Sequence, residues 1–545
     1  MDKRPIIGIV LIFLVLIGWQ TLIIKRSPKQ VTAPVKQTDT ATTTNPVGLP
    51  AISATSKDVI AASTDTLEDT VVVKLDTIIT SSLKVIIDPV GASIVSINLS
   101  QYESHHKKGT ELVPSGNSGI KDIIETNKNE KIDLSNLIFR LVENTPNKLV
   151  YETTLPSGET GRKIYSFSDS SYSIGLEYTF PNTYRHTVRW DAGIASTEKK
   201  LDLELRYFGG AANAGKEVIS KTLTQLDTAY FTEQGTIDWV GLKNKYFLIA
   251  LIPLGETESY SMRRFAKGAV GGGCMMGGGC ATAPKDPEAT RVGVSLTTKT
   301  STGEYNYKLY AGPLDYELMN KMHSTLGESC YFGFKWIRPI SRFFLKFFLF
   351  LHKGISNYGI IIIIFSLLMT IIFFPLTAMS QKSAIAMQRM QPKLKSLQTK
   401  YKGDPKKMNQ EVMDLYRKEG VSPVSGCLPL LIQMPIFFAL YAILDTSIVL
   451  RNAIFIPHWI ENLSEPDPFF ILPIAMGIMM FIQQKMQSSQ ISDPMQRRMM
   501  YFMPIMFTVI FLNFPSGLVI YWFIYNTFSV IQTNIIKKKL ALDGK

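Results

Sequence analysis

The spacing of apolar residues changes several times along the chain, and each change marks a different kind of element. Pro5 to Ile24 is an unbroken apolar run of about the 20 residues that a helix, rising 1.5 Å per residue, needs to cross a hydrocarbon core. Lys3 and Arg4 precede it, and Trp19-Gln20-Thr21-Leu22 leads into Lys25-Arg26. No small-residue cleavage site follows, so residues 1–26 read as an uncleaved anchor in preference to a signal peptide. Residues 27–70 mix Ser, Thr, Pro, Val and Lys without a period and cannot bury enough apolar area to order themselves, as expected of a flexible linker. From 71 to 326 alternation takes over, in runs such as Thr70-Val71-Val72-Val73-Lys74-Leu75, Leu83-Lys84-Val85-Ile86-Ile87, Lys148-Leu149-Val150-Tyr151-Glu152 and Arg291-Val292-Gly293-Val294-Ser295-Leu296. Many short strands separated by turn residues predict an all-β, sandwich-like domain.

Residues 327–353 switch to helical spacing. Lys335, Arg338, Arg342 and Lys346 recur at steps of 3, 4 and 4, opposite Trp336, Ile340, Phe343, Phe344 and Phe347. This predicts a basic amphipathic helix lying in the headgroup plane; a helix packed on the β domain with its basic face in water is the other reading. Residues 354–545 then carry five strongly apolar segments, at about 355–374, 428–444, 469–482, 501–514 and 517–531. Some are short for a hydrocarbon core of roughly 30 Å, so tilt or local thinning is expected. Residues 380–420, between the first two, predict a helical hairpin: one arm over 384–399, Asp404-Pro405 as cap and first turn, and Gly420 as the closing cap.

Charge orients these segments. Residues 381–420 hold ten basic side chains against four acidic ones, whereas residues 446–468 hold only Arg451 against Glu461, Glu465 and Asp467. The positive-inside rule puts the hairpin in the cytoplasm together with Lys485, Arg497, Arg498 and Lys537-Lys538-Lys539, and every segment alternates without conflict. The expected fold class is a polytopic α-helical membrane protein of six spans with an inserted all-β domain outside and both termini cytoplasmic.

Composition agrees. In 545 residues, 46% are hydrophobic and 19% charged, with a formal charge of +13; the mean hydropathy of +0.09 is that of a polar part averaged with a membrane part. Four cysteines exclude a disulfide scaffold. Cys274 and Cys280 lie in a glycine-rich loop unsuited to a rigid metal site, where a small disulfide remains open, and Cys427 reads as a packed membrane cysteine. There is no G-x-x-x-x-G-K-[ST], H-E-x-x-H or G-x-S-x-G, so no catalytic residue, metal or cofactor is expected. The apolar segments contain few ionisable groups, which argues against a proton-coupled pump. Their polar residues, Ser366, Thr370, Gln433, Asp445, Asn526 and Thr527, suit either a mildly polar groove or interhelical hydrogen bonding. Methionines gather at Met476, Met479, Met480 and Met486 and at Met495, Met499, Met500, Met503 and Met506; such side chains accept many apolar sequences or fill gaps between helices.

The stretch Gly426-Cys427-Leu428-Pro429-Leu430-Leu431-Ile432-Gln433-Met434-Pro435-Ile436-Phe437, with Phe374-Pro375-Leu376-Thr377 before it and Phe514-Pro515-Ser516-Gly517-Leu518 after it, resembles the YidC membrane insertase family. The likeness runs from about Asn357 to Ile536 and includes Met390-Gln391-Pro392-Lys393, Asp493-Pro494-Met495-Gln496 and Phe502-Met503-Pro504. Trp239-Val240-Gly241-Leu242-Lys243-Asn244-Lys245-Tyr246-Phe247 and Tyr310-Ala311-Gly312-Pro313 resemble the large periplasmic domain of Gram-negative members. The resemblance implies an N-terminal anchor, a periplasmic β-supersandwich and a five-helix core in the bacterial inner membrane, enclosing a hydrophilic groove open to cytoplasm and lipid. It implies insertion and folding of nascent membrane proteins, alone or with the Sec translocon, with no cofactor and no small-molecule substrate. Ser366, Thr370, Gln433, Tyr521, Trp522 and Asn526 then line the groove. Met476, Met479, Met480 and Met503 form a face along which the substrate slides. Lys393, Lys395, Lys406, Lys407 and Arg417 of the hairpin face a ribosome, RNA or anionic lipid, unless they are ordinary topological charge. One departure stands out: the family's usual groove cation falls, counting back from Pro375, on Thr370, so the groove here is expected to be polar but uncharged. The rival classes are a secondary transporter, for which no internal duplication is visible, and an envelope carbohydrate-binding protein built on the β domain.

Overall fold

A computed structural model describes residues 74–542 except 105–108, 115–118, 216, 224, 227–230, 266–290, 402, 420–427 and 489–493. The expected anchor and linker, Cys274, Cys280, Gly420 and Cys427 therefore lie outside the described residues.

The alternating region folds as antiparallel strands in three sheets. β1 (Asp76–Ile79), β2 (Leu83–Asp88), β3 (Ser93–Leu99) and β4 (Thr110–Glu111) form a small sheet. β5 (Ile120–Thr126), β6 (Lys131–Asp133), β7 (Arg140–Thr145), β8 (Lys148–Thr154), β9 (Thr160–Phe167), β10 (Ser173–Thr179) and β11 (Thr183–Trp190) follow, then the single-turn α1 (Leu201–Glu204). β12 (Gly209–Ala214), β13 (Glu217–Thr222), β14 (Phe231–Gln234), β15 (Ile237–Lys243), β16 (Phe247–Pro253), β17 (Thr257–Arg264), β18 (Val292–Lys299) and β19 (Glu304–Pro313) complete the domain. The nine-stranded sheet has the order β13-β12-β15-β16-β19-β10-β9-β8-β7 and the six-stranded sheet β14-β17-β18-β11-β5-β6. Three of the four runs singled out by alternation coincide with β2, β8 and β18. The fourth does not: Lys74 and Leu75 precede β1.

Alternation places every second side chain of these strands in the space between the two large sheets. β10 shows it plainly, with Ile174, Leu176 and Tyr178 buried and Glu177 exposed between them. One polar cluster interrupts this core. Lys163 on β9 pairs with Asp122 on β5 and donates to Gly91 O at 2.7 Å. His186 on β11 meets Asp122 Oδ1 at 3.0 Å and the Tyr307 hydroxyl of β19 at 2.8 Å. The two sheets are thus pinned by a fully buried, internally satisfied network. Burial lowers the His186 pKa, and Asp122 stays below its ordinary value because Lys163 and His186 overcome its burial.

The remainder is helical: α2 (Tyr316–Met322), α3 (Arg338–His352), α4 (Tyr358–Ile372), α5 (Phe374–Lys400), α6 (Pro405–Lys418), α7 (Leu428–Thr446), α8 (Ile471–Ser488), α9 (Pro494–Phe511) and α10 (Ser516–Leu542). α4, α7, α8, α9 and α10 fall on the five apolar segments. Among the described residues, however, no single helix is both long and apolar enough to cross a membrane; the pair Tyr358–Ile372 and Phe374–Ser383 passes together, bent by 52°. The sequence supplies the reasons. Pro375 sits in the first turn of α5, where α4 has just ended, since a proline cannot continue the preceding hydrogen-bond ladder. α10 has the length, with 27 residues, but Tyr521, Asn526, Ser529, Gln532 and Thr533 dilute its apolarity.

The hairpin is α5 with α6. Asp404 caps α6 by accepting from Lys407 N at 3.1 Å, with Pro405 in its first turn, and Lys393 reaches Glu419 across the two arms at 2.6 Å. The first arm is longer than expected, because α5 runs unbroken from Phe374 through Pro392.

α3 combines the two readings of its sequence. Most of its basic face is paired with the β domain and the turn before it, Lys335 with Glu217 at 2.8 Å and Arg338 and Arg342 with Glu328 at 3.2 and 2.6 Å, while Lys346 is exposed. Phe344 and Phe348 pack on Phe365 of α4, with ring centroids 4.9 and 5.3 Å away. Trp336, Phe343 and Phe350, seven residues apart, form an exposed apolar stripe.

The β domain is locked onto the helices through the end of α7. Asp445 receives Lys245 Nζ at 2.8 Å and the Tyr207 hydroxyl, and its carbonyl oxygen receives the Tyr246 hydroxyl at 3.2 Å. Arg451, just beyond α7, donates to Glu198 at 2.8 Å and lies over the Tyr246 and Phe247 rings. Burial alone would discharge Lys245, but Asp445 beside it raises its pKa.

Glu204 of α1 belongs to the same clamp. It accepts from Ser196 Oγ at 2.5 Å and from Thr197 N and Oγ1 at 3.1 and 3.0 Å, yet burial, with Glu198 nearby, pushes its pKa from 4.5 up to about 7. A carboxyl whose folded pKa is raised stabilises fully below its unfolded value and loses that contribution as pH rises through the folded one. The fold should therefore lose stability between about pH 4.5 and 8, by on the order of 3 kcal/mol. Denaturant midpoints at pH 5 and pH 8 read this directly, and Glu204→Gln should flatten the difference; an equal slope in both proteins would refute it.

Candidate functional site

Ser366 and Thr370 stand on the inner face of α4 because they are one turn apart. Both are buried, and each donates to the carbonyl four residues back, Ser366 Oγ to Ile362 O at 2.6 Å and Thr370 Oγ1 to Ser366 O at 2.8 Å. This back-bonding satisfies the hydroxyl proton within the helix.

That neighbour is α10. It runs in the same direction as α4: Ile362 lies against Gly517, the Phe365 ring is 6.1 Å from that of Tyr521, and Gln532 Nε2 donates to Thr370 O at 3.0 Å. Gln433 of α7 donates to the Tyr521 hydroxyl, and the Trp522 ring packs between Phe437 of α7 and Phe511 of α9, at 5.4 and 5.7 Å. From α8, Gln483 Nε2 donates to Ser529 Oγ at 2.8 Å.

The result is a buried polar seam along one face of α10. From Tyr521 to Gln532 it extends for about 16 Å at the helical rise, roughly half of a hydrocarbon core. It holds no Asp, Glu, Lys or Arg among the described residues that form it. Three of its donors have no hydrogen-bond partner among the described residues: Trp522 Nε1, Asn526 Nδ2 and Thr533 Oγ1. Residues 522, 526 and 533, at steps of four and seven, share one face of α10. A buried donor left unmade costs about 1–3 kcal/mol, so these three groups are the members of the seam with hydrogen-bonding capacity to spare.

The six expected groove residues thus meet in one place. Gln483, Ser529, Gln532 and Thr533 join them unforeseen; Ser529 lies within the last apolar segment, and Gln532 and Thr533 were legible as an extension of the same face beyond Ile531, where that segment was taken to end. Thr527 faces elsewhere, half-buried and bonded back to Phe523 O at 2.8 Å.

The expected methionine face is corrected. Met476 is fully buried and Met480 nearly so, because Gly477 brings α8 so close to α9 that a Cβ there would lie 2.0 Å from Thr508 Oγ1. These two fill the space between helices and cannot present a sliding surface in this conformation. Met479 and Met503 are half-exposed. The outward face is mainly branched and aromatic, with Ile474, Ile478 and Phe481 on α8 and Phe502, Ile505 and Val509 on α9, joined by Met506. On the hairpin Lys393, Lys406, Lys407 and Arg417 are exposed, while the Lys395 side chain lies outside the described residues.

Apolar side chains facing outward, a polar seam inside and a β domain clamped to one end define a helical membrane protein with a large extramembranous domain. The comparisons are specific. Residues 350–543 match the family model of the 60Kd inner membrane protein and residues 76–347 that of the YidC periplasmic domain. The membrane protein insertase YidC of Geobacter metallireducens is 36% identical over 404 residues, covering 72% of this chain and 70% of that one. Those of Prosthecochloris aestuarii and Chlorobium limicola are 30% and 29% identical, over 100% of this chain and 96% of theirs. A crystal structure of an active YidC insertase with its first transmembrane domain resolved aligns with TM-score 0.37 and 17% identity, over 84% of this chain and 93% of that one. The chain belongs to the YidC family.

Proposed function

We propose that this protein inserts and folds nascent membrane proteins in the bacterial inner membrane, alone or with the Sec translocon, by passing the polar part of the substrate along the seam between α4, α7 and α10. Family membership supports the activity. The observation that carries the route is the row of partnerless buried donors at Trp522, Asn526 and Thr533. A charged group at the bilayer centre costs about 2.5–3.5 kcal/mol. Donors and hydroxyl oxygens halfway through replace part of the lost hydration, so a short hydrophilic tail crosses in two smaller steps. Burial of the substrate's own apolar segment drives the process, and the membrane potential adds about 2.3 kcal/mol per charge per 100 mV.

In this reading residues 1–26 anchor the chain, the β domain lies in the periplasm, five core segments follow and both termini are cytoplasmic. The basic hairpin and the tail around Lys537-Lys538-Lys539 receive the substrate, a ribosome or anionic lipid. The apolar segment leaves along the outward faces of α8 and α9, past Met479 and Met503. No bond is made or broken, so the protein acts as a chaperone and not as an enzyme.

The test is reconstitution of the purified full chain in liposomes without nucleotide, reading protease protection of a single-span substrate with a short translocated tail. Protection should appear with wild type. Photocrosslinkers at Thr370 should capture the tail during insertion, and capture only on the outer surface of the helices would overturn the route.

A further inference from the structure

A cavity of about 80 Å³ lies where the β domain, α2, α3 and the end of α7 come together. At one water for each 10–15 Å³ of such space, it has room for five or more waters, ample for a phosphate group. Its lining combines two chemistries, the cations Lys243, Lys346 and Arg342 and the apolar side chains of Leu345, Leu349 and Val449.

The cations are not spent on each other's partners. Lys243 donates to Ser329 O at 3.2 Å and has no carboxylate within ion-pair reach among the described residues, and burial pulls its ammonium down to a pKa of about 8. Lys346 likewise forms no ion pair there. Arg342 pairs with Glu328 through Nη2 and lies over the Tyr316 ring at 4.5 Å, but its Nε is buried without a partner. Of the two carboxylates at the rim, Asp315 is occupied in capping α2 through Glu317 N and Leu318 N at 2.9 and 3.0 Å, and Glu317 is exposed. The apolar wall continues onto α3, whose outer stripe of Trp336, Phe343 and Phe350 suits the boundary between headgroups and acyl chains.

We infer that this cavity binds the phosphodiester of an anionic phospholipid, held by Lys243, Arg342 and Lys346, with an acyl chain laid against Leu345 and Leu349. The lipid would join the β domain to the membrane surface at α3. The inference rests on the reading that puts α3 at the outer membrane surface, but not on the insertion route.

The experiment uses the full chain in detergent, stripped of lipid and titrated with phosphatidylglycerol, phosphatidylcholine or inorganic phosphate, with bound lipid counted by native mass spectrometry. One phosphatidylglycerol should be retained per chain. Lys243→Gln with Lys346→Gln should weaken it about tenfold, and Leu345→Trp, which narrows the cavity and keeps every cation, should weaken it as well. Equal retention by all three proteins would overturn the site. Displacement by millimolar inorganic phosphate would overturn the lipid and leave a free-anion site. Insertion measured on the same variants separates this from the proposed function, since a lost lipid with intact insertion leaves that reading standing.

Discussion

Replacing Asp445 by alanine should cost about 3–5 kcal/mol, the range for removing one partner of a buried ion pair. Lys245 and Asp445 are both about nine-tenths buried or more, at 6% and 10% side-chain exposure. The alanine strands the Lys245 ammonium together with the Tyr207 hydroxyl. Release should be local at first, because Arg451 and Glu198 form a separate contact. The measurement is limited proteolysis around residues 195–208 combined with a denaturant midpoint. The double variant Lys245→Met with Asp445→Leu should recover most of the loss, since it leaves no buried charge behind. An unchanged midpoint in the single variant would mean that the clamp holds nothing.

Gln433→Leu together with Asn526→Leu should divide stability from activity. Asn526 Nδ2 has no partner among the described residues, so leucine removes a penalty, and the Gln433 bond to Tyr521 is lost with its donor. The two effects are of similar size and opposite sign, leaving the unfolding midpoint within about 1 kcal/mol of wild type. Insertion should nevertheless fall about tenfold, because each polar partner denied to a crossing tail is worth about 1.4 kcal/mol or less. A substrate with no charged residue in its tail should be affected least. Normal insertion of a charged tail by a well-folded double variant would remove the seam from the mechanism.

Much of this was legible in the residues. Leu83 to Ile87 and Lys148 to Glu152 read as strands and Asp404-Pro405 as a helix start, because each signal is the period or the hydrogen-bonding limit of a short piece of backbone. Of the expected groove residues, Gln433 and Asn526 stood out as polar groups in apolar segments, and Tyr521 and Trp522 came only through resemblance. Gln532 and Thr533 were missed because the apolar run was read as stopping at Ile531, and Ser529 inside it was passed over, although the spacing of all three continues the same face. The methionines misled for a different reason. Composition marks Met476 and Met479 equally, and only the close approach permitted by Gly477 buries one and leaves the other half-exposed.

By itself, then, the sequence determined the elements, their apolar faces, the charge asymmetry of the loops and the neutrality of position 370, since all of these are properties of neighbouring residues. The tertiary structure decided the clamp, the partners of the basic face of α3, the burial of Met476 and the extent of the seam. Tyr207 and Asp445 are 238 residues apart, and Gln532 and Thr370 are 162 apart. No local period encodes such a meeting; it follows only from how the packed sheets and helices bring their buried faces together.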